Sequence, residues 1–124
     1  MPDSAHDQGP LLGDVANAVV RLHRRHFGNG PTRSKTYLAG DLVVCVLQDL
    51  FAIVERTLIT AGEGDRVRSA RVVVYDAIGP ELRDAIARIL GRRVVMSTSQ
   101  VLLDAEIGML VFLLDPASGA AAAG

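Results

Sequence analysis

Two segments constrain the fold of this chain more than any others: residues 42–47, LVVCVL, and residues 107–114, IGMLVFLL. Both are strand-length apolar runs rich in Val, Leu and Ile. Neither alternates with polar residues, as a strand with one wet face does, so each reads as a central strand with both faces covered. Both fall far short of the roughly 20 residues that a helix needs to cross a bilayer. With 124 residues, a mean hydropathy of +0.28 and only 4% aromatics, the chain is sized for one domain whose core rests on aliphatic side chains. Such a core can extend into an oligomer interface.

Each run has a neighbour. TRSKTYL alternates moderately and AGD is a short turn, which predicts a β-hairpin over residues 32–47 with an edge strand first. VVMSTSQV leads through LLDAE into the second run, a second hairpin. Between them, Ile53, Val54, Thr57, Leu58 and Ala61 are spaced as one helical face over residues 50–61, until GEGD breaks the pattern. A further helix starts at Asp65 with Val67, Ala70, Val74, Ala77 and Ile78 on its apolar stripe. It kinks or restarts at Gly79-Pro80, resumes through Leu82, Ile86, Ile89 and Leu90, and stops at Gly91.

Ahead of the first hairpin, Val15, Val19, Leu22 and His26 mark a helix that begins near Asp14 and ends near Phe27, where Gly28 and Pro31 follow. The order α-β-β-α-α-β-β defines an α+β domain with one four-stranded, mainly antiparallel sheet. Residues 11–116 form the domain; residues 1–10 and 117–124 read as disordered tails. The polar N-terminus has no apolar stretch of a secretory signal, which predicts a cytoplasmic location. If helices cover one face of the sheet, the first helix or a second subunit must cover the other. A homodimer follows, with Val43, Val44, Val46, Met109, Val111 and Phe112 on the strands of the core and dimer contact.

The stretch RLHRRHFGNGPTRSK, residues 21–35, holds five cations and two histidines without a carboxylate, in a chain of net charge −1. Arg21, Arg24 and Arg25 sit where they complement the negative end of the first helix. Alternatively they converge with Arg33 and Lys35 to hold a phosphate, a carboxylate or an acidic surface. GNGP is no phosphate loop, because its glycines follow a helix and precede a strand. His23 and His26 are three residues apart, with His26 on the apolar stripe and His23 at its border, and no third metal ligand accompanies them. Cys45, the single cysteine, reads as a buried thiol.

Ser97, Thr98 and Ser99 lie in a strand, and Asp104 and Glu106 follow in a loop. All three histidines precede residue 27, so no Ser-His-Asp arrangement can be built. These observations predict a non-enzymatic chain without a cofactor or a metal. Nucleic-acid binding is disfavoured, because the few aromatics form no stacking platform and acids alternate with arginines along the later helices.

Several motifs in order along residues 14–116 resemble the MpsC family, a small bacterial domain named for a sodium-translocating, membrane-potential-generating system. They are HFGNGPTRSKTYLAGDLVVCVL, ERTL at residues 55–58, VRSARVVVYDAI, GRRVVMSTSQV and VFLLDP. The resemblance implies association with cation or inorganic-carbon transport systems and brings no catalytic residues with it. A chain without spans would act as an auxiliary component, regulating or binding a membrane transport protein. One position departs from the pattern: Phe51 stands where a polar capping Thr is expected, which leaves the start of that helix less sharply defined.

Overall fold

The computed structural model describes residues 2–116, and for residues 2–8 the backbone alone. Its elements are α1 (Pro2–Phe27), β1 (Arg33–Ala39), β2 (Leu42–Gln48), α2 (Ile53–Thr60), α3 (Gly64–Leu90), β3 (Val94–Leu102) and β4 (Ile107–Leu114). This is the order expected from the sequence. The strands form one antiparallel sheet in the order β1-β2-β4-β3. The two apolar runs are therefore neighbours at its centre, and the more polar β1 and β3 are its edges.

Gly40, at φ 61°, supplies the left-handed residue of the turn that pairs Ala39 with Leu42. Gly91, at φ 66°, ends α3, and Gly28, at φ 84°, follows α1, as their places in the sequence predict.

Side chains alternate strictly along the central strands. Val43, Cys45 and Leu47 of β2, with Leu110, Phe112 and Leu114 of β4, point into the core. Val15 and Val19 of α1, and Ile78, Leu82 and Ile86 of α3, close over them in the same cluster. Each such aliphatic or aromatic side chain contributes about 1.5–3 kcal/mol on leaving water. Val44, Val46, Met109 and Val111 point to the opposite face, where among the described residues no helix packs. Among the described residues the helices cover only one face, and α1 lies on it with α3.

The helices also depart from the sequence expectation. α1 begins at Pro2, ahead of Asp14, and takes in residues 2–10 that read as a tail. Pro10 lies inside it; proline's fixed φ is a helical value, so it removes one hydrogen bond without ending the helix. Residues 117–124 lie outside the described residues. α3 runs through Pro80 without a restart, because Ile78 and Leu82 anchor it to the sheet on both sides of the missing bond. Its inward stripe is Val67, Arg71, Tyr75, Ile78, Leu82 and Ile86, while Ala70 and Ala77 are exposed. α2 buries no residue fully, and Ile53 and Val54 are 80% and 65% exposed. Its apolar spacing does not mark a core face; Ile59 is the residue that packs inward.

Gly108 fixes how closely Leu50 sits on β4, since a Cβ at residue 108 would lie 2.9 Å from Leu50 Cδ2 and 3.3 Å from Cδ1. Leu50 is 1% exposed and belongs to the core cluster, so it would have to shift against its buried neighbours. Gly108→Ala is expected to lower unfolding free energy by about 1–3 kcal/mol. Urea denaturation would show this as a lower midpoint with an unchanged slope.

Candidate functional site

α3 carries a cation into the core. Arg71 is 1% exposed, at a position on the inward stripe that an aliphatic residue would ordinarily fill. Its guanidinium binds Glu55 of α2 through two parallel bonds, Nε to Oε2 and Nη2 to Oε1, each 2.6 Å. Nη2 also donates to the Leu50 carbonyl at 3.0 Å, and Nη1 reaches Tyr75 Oη at 3.4 Å. The planar group lies 3.8 Å from the centre of the Phe27 ring, a cation–π contact. Burial works against the charge, but the hydrogen bonds and charge of Glu55, together with Tyr75, outweigh it and raise the Arg71 pKa.

Glu55 has a second task, since its Oε1 accepts the Ala52 N–H at 2.9 Å and so caps α2 from its third position. The expected Thr cap is therefore replaced by the acid inside the helix, and Phe51 is free to join the core, where it is 2% exposed.

The network continues into α1 through a histidine. His23 is fully buried; its Nδ1 donates to the Val19 carbonyl at 2.7 Å, which leaves Nε2 to accept the Tyr75 O–H at 2.7 Å. Burial, with Arg71 and His26 nearby, lowers its pKa from 6.5 to about 4, although the bond to Val19 opposes this. Burial likewise raises Tyr75 to about 12, against the pull of Arg71. The two histidines thus exchange the places expected for them. The helical register follows Val15, Val19, His23 and Phe27, which turns His26 outward to Glu81 at 2.8 Å. Cys45 is buried as expected, and burial pushes its thiol up to about 11.

The five cations of residues 21–35 are not gathered on one surface. Arg25 shares Glu81 with His26, which ties the end of α1 to α3. Arg21 and Arg24 are exposed on α1, and the stem of Arg24 packs beside Gly30. Arg33 and Lys35 alternate on β1 with the buried Thr36, so they lie on the other side of the sheet from α1; Lys35 sits 5.3 Å from the Tyr37 ring. Of the residues named on the central strands, Val43 and Phe112 belong to the core, and Val44, Val46, Met109 and Val111 to the open face.

Two recesses stand out. A groove of ≈ 580 Å³ opens between the GNGP turn and the start of α2, walled by Phe27, Phe51 and Ile53, with Thr32 bonded to Asp49 at its base. A tighter cavity of ≈ 90 Å³ lies between α3 and β3, where Arg83 Nη1 donates to Ser97 Oγ at 2.8 Å. Glu106, at φ 55°, pairs with Arg56 at 2.7 Å. Among the described residues, no group of three or more His, Cys, Asp or Glu side chains could hold a metal, and no helix is long and apolar enough to cross a membrane.

A two-layer α+β domain, with helices on one sheet face, an apolar second face that no described residue covers and a buried Arg-Glu-Tyr-His network between the helices, is the class that fold and site define. The chain belongs to the MpsC family, described as a Na+-translocating membrane potential-generating system, whose model matches residues 8–116. No curated protein and no solved structure matches the chain.

Removing Glu55 strands a buried guanidinium, so Glu55→Ala is expected to cost about 3–5 kcal/mol in urea denaturation. Replacing the pair together, as Arg71→Met with Glu55→Gln, should cost clearly less than the sum of the single changes. His23 gives a pH signature. Between pH 6.5 and about 4 the unfolded chain binds the proton and the folded chain does not, so stability falls as pH drops through that window. The loss amounts to about 3 kcal/mol at most. His23→Gln should flatten that part of the stability profile.

Proposed function

We propose that the chain is a non-enzymatic interaction module, an auxiliary component of a membrane-potential-generating cation transport system. It works in the cytoplasm as a homodimer joined through the open face of its sheet, and it reaches the membrane through a transport-protein partner. The observation that carries this reading is the apolar centre of that face, which is uncovered among the described residues. Val44 pairs with Val111 and Val46 with Met109, and exposed Tyr37 and Met96 flank them. Contiguous apolar patches of this kind mark interaction sites. The family description supplies the membrane-potential context.

Charge favours a second copy as the occupant. Arg33 and Lys35 stand on the outward side of edge strand β1, Thr98 and Gln100 on that of edge strand β3, and no carboxylate lies on the outward positions of the four strands. A twofold axis parallel to the strands lays β1 of one protomer against β3 of its partner and stacks the apolar strands centre to centre. The cations then meet hydroxyl and amide oxygens. An axis across the strands would set them against their own copies, which like-charge repulsion disfavours.

Light scattering at low micromolar concentration should report twice the 13.2 kDa of one chain. Val46→Glu with Val111→Glu should return a folded monomer, because both side chains point away from the core. In the native cell, loss of the gene should lower sodium-dependent membrane potential, and the double variant should fail to restore it. A wild-type monomer would overturn the dimer, and an unchanged potential would overturn the transport role.

A further inference from the structure

The cavity between α3 and β3 is polar where its position calls for apolar side chains. Ser97 and Ser99 occupy core-facing positions of β3, opposite Phe112 and Leu110 of β4. Arg83 reaches Ser97 from α3, and Gly79 makes this possible. A Cβ at residue 79 would lie 2.9 Å from Arg83 Nη1 and 3.6 Å from Cζ, so the guanidinium folds back over the bare turn of the helix. Its bond to Ser97 uses one of five N–H donors, and among the described residues no carboxylate pairs with it.

We propose that this cavity binds a small monovalent oxyanion, of the size and charge of formate or nitrate, through Arg83, Ser97 and Ser99. Donors converge there. Arg83 keeps free N–H groups, Ser97 accepts from Arg83 and so has its own O–H to give, and Ser99 adds a second hydroxyl. Leu82, Leu110 and Phe112 form apolar walls beside these donors, and a less polar surrounding strengthens such bonds. The volume of ≈ 90 Å³ leaves room for an anion of few heavy atoms. Asp76 also lines the cavity, and its charge selects against dianions such as sulfate. The site is independent of how the open sheet face is used.

The test is titration of the wild-type protein with sodium formate and sodium nitrate against sodium chloride at constant ionic strength, read by thermal unfolding and by backbone amide NMR shifts. Formate or nitrate should stabilise the protein beyond chloride, with the largest shifts at residues 83, 97 and 99. Arg83→Gln should weaken binding by at least about tenfold. Gly79→Ala, which displaces the guanidinium, should weaken it similarly, whereas Asp76→Asn should tighten it and admit sulfate. Stabilisation no greater than with chloride, shifts centred elsewhere, or binding retained in Arg83→Gln would each overturn the proposal. If Arg83→Gln does not fold, the wild-type shift map and Gly79→Ala decide.

Discussion

The pair between Arg71 and Glu55 is the interaction on which the helical layer depends. A guanidinium that is 1% exposed is tolerable in a folded chain only when its donors are taken, and here the partners come from three places. Glu55 belongs to α2, the Leu50 carbonyl to the segment leaving β2, and Tyr75 to the next turn of α3. Through Tyr75 the chain of bonds reaches His23 and α1. α2 buries no side chain fully, so its position rests on this pair and on the cap that the same carboxylate provides, more than on apolar burial. Replacing such a pair with apolar residues often leaves stability unchanged or higher. Its contribution is better read as geometric: it sets α2, α3 and the end of β2 in one arrangement.

That arrangement leaves the molecule asymmetric. Every helix that contributes to the described core lies on one side of the sheet, while the centre of the other side is as aliphatic as the core. The polar exceptions separate cleanly. Arg33 and Lys35 rim the open face, whereas Arg83, Ser97 and Ser99 form a polar recess beneath α3. An apolar face and a polar recess thus occupy opposite sides of one sheet.

Much of the fold was legible because strand signals are local. The runs at residues 42–47 and 107–114 announced two central strands, and glycines at 28, 40 and 91 marked ends and turns through their left-handed φ values. The candidate site was less legible. Two quoted motifs, ERTL and VRSARVVVYDAI, contain Glu55, Arg71 and Tyr75, yet nothing in either shows that the residues meet. One signal was available: steps of four from Val67 place Arg71 and Tyr75 on the stripe that continues to Ile78 and Leu82. An arginine at such a position asks for an acid elsewhere. In α1 a step of four from Val19 likewise leads to His23, not His26.

By itself the sequence determined the element order, the pairing of each hairpin and the central place of the two apolar runs, since these follow from side-chain period and turn chemistry within a few residues. Tertiary structure alone decided which sheet face the helices cover, that α2 exposes its apolar residues, and that a cluster of cations at residues 21–35 is parted by the sheet. Those outcomes depend on contacts between residues far apart in the chain, such as Arg71 with Leu50 and His26 with Glu81. No local pattern encodes the direction from which a partner will arrive.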